Sequence, residues 1–369
     1  MIFVISSDEP WGKMMHTQLH YALELSRKHT VYFIDPPRKW PPNLSLLWSK
    51  TRQINQNLFI LPYLNLLPVI KSLWVTIRIN DFINFSRIKR ILRNRNAQKV
   101  ILWRFDPQRM LTASSCKFYG TIYHVVDDYR GKAANRFLLQ GSDLVITTSP
   151  RNQEYFSTMH KNVFCIPQAI SDDELQHDDR ESEKIRKQYG DFVLFTGTLS
   201  DANDFSLILT LVQHFSHYNF IFVGPEMLNE SNKKLFETIL SSSNACYLGT
   251  KDGKELKNFI HASSACIIPY HFTPKKTGDI RSPLKALHYL AQFKPVITSV
   301  DCEIDELENK AIYFANNQTS FIQLLDACLQ KKNNYDITAV KNFLDHARYD
   351  KFIDKIIDLL TELKAARTE

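Results

Sequence analysis

Arg281 to Ser299 reads RSPLKALHYLAQFKPVITS, and this stretch decides the fold. Ser282-Pro283 opens a helix: proline fits a first helical turn, where its missing N–H is not needed, and serine suits the cap. Leu284, Leu287 and Leu290-Ala291 then recur at helical spacing. Lys294-Pro295 stops the helix, and Val296-Ile297 begins a buried strand. A helix start followed at once by Lys285 is a ready anion site, because unpaired backbone N–H groups and the helix dipole both favour a phosphate. His288 lies one turn further on the same face, within reach of a sugar hydroxyl or a phosphate.

Upstream of this stretch, strands alternate with helices. Phe192 to Thr196 reads as a strand entering the loop Gly197-Thr198, Phe205 to Phe215 as a helix, and Phe220 to Pro225 as a strand. A helix from about Ser231, then Ala245 to Gly249, Leu256 to Ala262 and Ala265 to Pro269 continue the pattern, which predicts a parallel sheet. Ser171 to Tyr189 is charged and polar, a natural boundary running into a helix.

The first half repeats the logic with different residues. Ile2 to Ser6 is a strand, Ser7 to Lys13 a loop, the next residues a helix carrying Leu19, Ala22, Leu23 and Leu25, and Val31 to Ile34 a second strand. Lys99 to Trp103, Gly120 to Val126, Leu144 to Thr147 and Asn162 to Pro167 supply four more. The expected fold class is therefore α/β, with two doubly wound, Rossmann-like parallel-sheet domains. Their expected spans are 1–169 and 170–345, followed by a C-terminal helix in 346–369, where Tyr349 to Ala365 is amphipathic.

Composition sets outer limits. The chain has 369 residues, too long for one ordinary domain and suited to two. A hydrophobic share of 44% supports packed cores, and ten glycines leave little room for glycine-rich phosphate loops. The formal net charge of +7 favours anionic partners without choosing among nucleotide-sugars, lipid phosphates and nucleic acid. Six cysteines are scattered without a C-x-x-C pair, which reads as buried free thiols in a reducing compartment; no metal-ligand cluster is evident. The opening MIFVISSDEP lacks the basic start of a signal peptide, and no apolar run reaches the roughly 18 residues of a membrane span. A cytoplasmic protein is expected.

Three places outside the opening stretch carry candidate chemistry. Because ligands of doubly wound sheets bind beyond the strands' carboxyl ends, Trp11, Gly12 and His16 fall at such an edge; shaping a tight turn and cap is the plain alternative. Asp127 and Asp128 follow a strand, beside His124 and Arg130, and a carboxylate held there can deprotonate a hydroxyl. Helix capping with an ion pair to Arg130 competes with that reading. Lys71 to Arg95 interleaves Arg78, Arg87, Lys89, Arg90, Arg93 and Arg95 with Trp74, Ile77, Phe82, Ile83, Phe85, Ile88 and Ile91. Such a helix either lies in a membrane interface against anionic lipid or packs with a solvated basic face. No nucleic-acid motif accompanies the charge, so no nucleic-acid partner is expected.

Ser282, Pro283, Lys285, Tyr289-Leu290-Ala291 and Lys294-Pro295-Val296 match the pattern S-P-x-K-x-x-E-Y-L-A-x-G-K-P-V-V. In these residues the chain resembles glycosyltransferases of the GT-B fold. Asp143 to Ser149 is similar to their A-D-x-V-I-x-x-S strand, and Ile166 to Ile170 stands where their P-N-G-V-D linker falls. Trp103 to Pro107 with Val126-Asp127-Asp128 resembles bacterial transferases that build surface polysaccharides, the xanthan glucuronosyltransferase included.

The resemblance implies two domains facing a cleft and a sugar moved from a nucleotide-sugar, expected to be a UDP-sugar, to a glycolipid or oligosaccharide hydroxyl. Donor-binding residues on this reading are Gly197, Thr198, Tyr270, Ser282, Lys285 and His288. Lys275, Lys276 and Arg281 are basic neighbours that hold a diphosphate or an anionic sugar, or else belong to a solvated loop. Trp11, Gly12 and His16 fall on the acceptor side. Two departures matter: His288 replaces the glutamate expected on the ribose, and Phe293 replaces a glycine. Retaining relatives carry two glutamates separated by seven residues, where this chain has Ile280 and His288. An inverting reaction is thereby implied, with Asp127 as base and Asp128 as its substitute, no catalytic metal and no cofactor. A catalytically silent subunit of the same fold is the main rival, with a nucleotide-sugar epimerase behind it.

Overall fold

The computed structural model describes residues 1–12, 16–37, 51–68, 74–93, 99–111, 117–127, 129–272 and 284–366. It divides into two compact units, Met1–Pro167 with Tyr349–Glu369, and Gln168–Arg348.

The first unit is built on an eight-stranded sheet. Its strands are β1 (Ile2–Ser6), β2 (Thr30–Asp35), β3 (Arg52–Gln53), β4 (Leu58–Pro62), β5 (Val100–Arg104), β6 (Gly120–Val125), β7 (Leu144–Thr147) and β8 (Val163–Cys165). They lie in the order β3-β4-β2-β1-β5-β6-β7-β8, all parallel except β3, which pairs antiparallel with β4 at the edge. Parallel strands are covered on both faces, and β1 accordingly reads as an unbroken buried run, IFVIS. The chain winds to one side of β1 and then restarts at β5, so the topological switch point lies between those two strands. Phe105 and Asp106 both donate a backbone N–H to Ser6 O there, at 2.8 and 3.2 Å.

Helix α1 (Thr17–Ser26) crosses from β1 to β2, and α2 (Trp74–Leu92) from β4 to β5. The sequence pattern of α2 is that of an amphipathic helix, but its buried face includes Asn80, Asp81 and Asn84 beside Ile77, Phe85 and Ile88. These polar groups are fully partnered fasteners. Asn84 binds both the N–H and the carbonyl of Leu64, and Asn80 does the same for Leu67. Asp81 accepts from Tyr63 Oη at 2.6 Å and from the Met110 and Leu111 amides at 2.8 Å. Burial pushes its carboxyl up to about 6 even so. Val75, Ile79 and Phe82 point outward, 61%, 42% and 61% exposed, in line with the exposed Arg78, Lys89, Arg90 and Arg93. No helix among the described residues is long and apolar enough to cross a membrane.

Three short helices follow, α3 (Asn135–Gln140), α4 (Pro150–Ser157) and, in the second unit, α5 (Asp179–Tyr189). The final helix of the chain belongs to the first unit. It buries Tyr349, Ile353, Ile356 and Leu360, with Tyr349 stacked on His20 at 5.1 Å and edge-on to Tyr21 at 5.0 Å. Gly120 leaves the space that Leu360 fills: a Cβ there would come within 2.6 Å of the leucine side chain. Lys364 closes the last turn on Asp143 at 2.7 Å, which holds that carboxyl below the ordinary range against the opposing effect of its partial burial.

The second unit has β9 (Phe192–Thr196), β11 (Asn219–Val223), β13 (Ala245–Tyr247), β14 (Ala265–Ile268), β15 (Val296–Thr298) and β16 (Ile312–Phe314) in a six-stranded parallel sheet. A separate two-residue pair joins β10 (Leu199–Ser200) to β12 (Glu226–Met227). The main order is β13-β11-β9-β14-β15-β16. Counted along the chain this is 3-2-1-4-5-6, the dinucleotide-binding arrangement, with its switch point between β9 and β14. The helices are α6 (Phe205–His214), α7 (Glu230–Leu240), α8 (Gly253–Ala262), α9 (Leu284–Ala291), α10 (Gln318–Leu329) and α11 (Ile337–His346); the last of the chain, Tyr349–Ala365, is α12. Side-chain oxygens of Asp204, Asn229, Asp252, Asn317 and Asp336 cap α6, α7, α8, α10 and α11.

Candidate functional site

In the second unit the sequence motif lands on the switch point. Lys285, in the first turn of α9, brings its ammonium 4.5 Å from the Phe195 ring centroid and 5.0 Å from that of Tyr270. Phe195 lies on β9 and Tyr270 just beyond β14, the two strands that bracket the switch point. Both rings attract the cation through their faces. No carboxylate among the described residues pairs with it.

The glycines beside it are required by space. A Cβ on Gly197, whose φ is +108°, would stand 3.0 Å from Lys285 Nζ. Gly224, with φ +144°, approaches more closely still: a Cβ there would lie 2.1 Å from the Gly197 carbonyl oxygen. The two glycines let the ends of β9 and β11 meet beneath the lysine, where Gly197 N donates to Val223 O at 2.9 Å. Thr198 follows, half-buried. Tyr289 fixes α9 to this strand end, since its hydroxyl accepts from Thr196 N at 2.8 Å and is 3.1 Å from Thr196 Oγ1. Tyr270 is held through its carbonyl, which accepts from Ser299 Oγ at 2.6 Å.

His288 has a different neighbour from the one its position suggests. Its Nε2 stands 2.8 Å from Glu174 Oε1, without the alignment of a hydrogen bond. Glu174 is itself fixed: Ser171 donates to its other oxygen from both N and Oγ, at 2.8 and 2.9 Å, and Gln292 donates to its carbonyl at 2.6 Å. Glu174 reaches His288 from the 3-10 turn Asp172–Leu175. Sequence alone gives no sign of this, because 114 positions separate His288 from Glu174 in the chain. Phe293, in place of the pattern's glycine, takes the left-handed conformation that a glycine would, with φ 54°. For a residue with a Cβ that conformation costs roughly 1–2 kcal/mol. Lys276, Arg281 and Ser282 lie outside the described residues, as does Asp128.

In the first unit, Asp127 follows β6 and gathers an acidic cluster. Tyr129 Oη donates to Asp8 Oδ2 at 2.6 Å and reaches Asp127 Oδ2 at 3.5 Å. Gln18 Nε2 occupies the other Asp8 oxygen at 2.7 Å. Asp8 thus has a donor on each oxygen, whereas Asp127 is exposed and has only the long Tyr129 contact among the described side chains. Lost hydration at the crowded side of its carboxyl, and then the neighbouring Asp8 charge, raise its pKa above the ordinary value. Its solvent-exposed side limits the size of that shift. No helix among the described residues begins at Asp127; α3 starts at Asn135 without any side-chain cap, so Asp127 is not a capping residue.

The other first-unit candidates divide. His16 stands near Asp127, 3.7 Å from Glu9, at the start of α1, where its side chain makes no cap. Trp11 is half-buried, its backbone N–H donating to Asp35 Oδ1 at 2.6 Å and its ring edge-on to Phe33 at 5.2 Å. Gly12 has open space around it: a Cβ there would meet nothing nearer than the Pro10 carbonyl oxygen, at 3.8 Å. His124 leaves the acid–base group altogether. It is fully buried, stacked on Phe105 at 4.7 Å, and burial takes its pKa down to about 3, so it is neutral. Asp8, Glu9 and Tyr129 are the members of the cluster that sequence reasoning passed over; the first two sit in the loop after β1, where the doubly wound rule already pointed.

Arg104 also proves structural. Its guanidinium donates to the carbonyls of Met110, Leu111, Leu138 and Gly141 and to Ser142 Oγ, closing the loops beneath β5 and β6. Burial lowers its pKa to about 10, which leaves it charged at neutral pH.

No family model and no curated protein matches the sequence. Solved structures do match. Sucrose-phosphate synthase from Thermosynechococcus elongatus superposes with a TM-score of 0.73, 10% identity and 99% of both chains covered. HepE from Anabaena, solved with UDP and glucose, gives 0.66 at 12% identity over 97% of this chain and 99% of its own. The lipopolysaccharide outer core galactosyltransferase WaaB gives 0.62 at 11%, over 97% and 99%. This chain has the GT-B fold. The GT-B likeness runs through both units, and it is to the fold at large rather than to the xanthan enzyme in particular.

Proposed function

We propose that this chain is a glycosyltransferase that moves a sugar from a UDP-sugar to a hydroxyl of a glycolipid or surface-polysaccharide acceptor, with inversion and without a catalytic metal. The observation that carries the reading is the Lys285 ammonium over Gly197, without a carboxylate partner among the described residues, at the switch point of a 3-2-1-4-5-6 sheet. A diphosphate is the group such a place accommodates: the glycine admits it, the lysine and the N-terminus of α9 neutralise it, and Thr198 offers a hydroxyl. Neighbours in the GT-B fold that were solved with UDP make uridine the first choice of base. Tyr270 and His288 flank the lysine on this reading, with Lys276, Arg281 and Ser282, which precede it in the sequence, contributing to the same donor.

In the reaction, Asp127 accepts the proton of the acceptor hydroxyl. The oxygen then bonds to the anomeric carbon as the carbon–oxygen bond to the diphosphate breaks, and UDP leaves with the electron pair. Trp11, Gly12 and His16 belong to the acceptor side. Binding of UDP is the first requirement of such a transfer, and a chain that binds no nucleoside diphosphate contradicts it.

The outward face of α2 supports a further part of the proposal, peripheral attachment to anionic membrane through residues 71–95. Val75, Ile79 and Phe82 supply apolar surface, and Arg78, Lys89, Arg90 and Arg93 supply charge worth about 1 kcal/mol each near an anionic surface. A lipid-linked acceptor would then be met at the bilayer. The chain is expected to sediment with vesicles containing phosphatidylserine but not with phosphatidylcholine alone, and Phe82→Asp is expected to release it. Equal sedimentation of the variant would remove α2 from the attachment.

A further inference from the structure

Apart from the donor site, the second unit brings together His177, Asp179 and His261, one ligand atom from each lying within 4.8 Å of the others. His177 precedes α5, Asp179 is its first residue, and His261 lies in the last turn of α8. His177 and His261 are 84 positions apart, which is why the sequence shows no metal-ligand spacing.

The backbone around the cluster is firmly set. Asp178 N donates to Asn258 Oδ1 at 2.8 Å, and Lys257 pairs with Asp173 at 2.9 Å. Arg186 reaches back from α5 to the carbonyls of His261 and Ala262, at 3.5 and 3.3 Å. On this frame the two imidazoles stack face to face, ring centroids 3.5 Å apart and planes 13° from parallel. One carboxylate oxygen serves both: Asp179 Oδ1 is 3.1 Å from His177 Nε2 and 3.9 Å from His261 Nε2. Both Nδ1 atoms are buried without a protein partner among the described residues.

Two stacked imidazolium rings would repel each other strongly, so protons are a poor way to satisfy that carboxylate. A single cation shared by two imidazole nitrogens and one carboxylate oxygen answers the arrangement better. Ligands about 2.0–2.1 Å from a tetrahedral ion stand roughly 3.3 Å from one another. The observed 3.1 and 3.9 Å bracket that spacing, and the shorter is also the hydrogen bond between His177 Nε2 and Asp179 Oδ1 that a cation would replace. Asp179, whose side chain is 89% exposed, leaves the remaining positions open to water.

We propose that His177, Asp179 and His261 form a binding site for a divalent transition cation of the zinc class, joining the start of α5 to the end of α8. Two nitrogens and one carboxylate favour Zn²⁺, Ni²⁺ or Cu²⁺ over Mg²⁺ and Ca²⁺, which require more oxygen. Arg186 and Lys294 lie close enough to oppose a cation electrostatically, so affinity rests on the nitrogen ligands rather than on net charge.

The test uses the full chain, freed of metal with a chelator and titrated with CoCl₂ and ZnCl₂ beside His177→Ala, His261→Ala and Asp179→Asn. Wild type is expected to take up one Co²⁺ with the visible absorption of a nitrogen- and oxygen-ligated ion, displaced by Zn²⁺, and to melt at a higher temperature with Zn²⁺ but not with Mg²⁺. Each histidine variant should weaken that equivalent by tenfold or more, and Asp179→Asn should weaken it while its metal-free melting temperature stays at the wild-type value. Equal uptake in wild type and both histidine variants, absorption dominated by thiolate ligation, or a Mg²⁺ shift as large as that of Zn²⁺ would overturn the site.

Discussion

Asp127→Asn is expected to lower sugar transfer by roughly 10²–10⁴-fold, the usual contribution of a positioned general base, while UDP affinity stays within about twofold of wild type. The asparagine keeps the shape and the Tyr129 contact but cannot accept a proton. The pH profile gives a second readout. Asp127 works only when ionised, and its pKa is raised by lost hydration and by Asp8. Transfer in the wild type should therefore fall as pH drops through a value above the ordinary carboxylate range. The acidic limb should move to lower pH when Asp8→Asn removes the neighbouring charge. Turnover of Asp127→Asn near the wild-type rate, measured as UDP release with acceptor present, would place the base elsewhere.

Lys285→Ala is expected to weaken UDP and UDP-sugar binding by roughly tenfold to 150-fold, corresponding to about 1.5–3 kcal/mol for a hydrogen bond to a charged group. The loss should be concentrated on the diphosphate, so uridine alone binds the variant and the wild type similarly. Removing the side chain breaks no ion pair among the described residues, and what it forfeits in the apo chain is contact with Phe195 and Tyr270. The melting temperature without nucleotide is thus expected to change little. Isothermal titration of both proteins with UDP checks the result; unchanged affinity would end the phosphate role of this lysine.

Much of the architecture was legible because it is written in local patterns. Strands such as Ile2–Ser6 and Phe192–Thr196 are short apolar runs ending in turn residues, and Tyr349–Ala365 carries a long helical period. The motif that opens at Ser282-Pro283, two residues outside the described ones, identified α9, and the fold placed Lys285 at the switch point where the doubly wound rule puts ligands. Contacts between residues far apart in the chain were not legible. Glu174 beside His288, Asp8 beside Tyr129 and Asp127, and the pairing of His177 with His261 are created only when the fold assembles. Polar residues misled for a related reason. His124 stands next to the acidic pair in sequence but on the buried face of β6, and Asn80, Asp81 and Asn84 interrupt the apolar face of α2 because loop backbones need partners there. A side chain's neighbours in sequence say little about the partners that determine its charge.

A nucleoside diphosphate site at Lys285 and Gly197 is the feature on which sugar transfer by this chain most depends. The direct measurement is the melting temperature of the purified chain with UDP, GDP, CMP and TDP and their common sugar conjugates, since a ligand bound only by the native state stabilises it by an amount that grows with the logarithm of its concentration relative to Kd. A rise is expected with UDP and at least one UDP-sugar, diminished in Lys285→Ala. No rise with any nucleotide would contradict the site and favour a catalytically silent chain with the same fold.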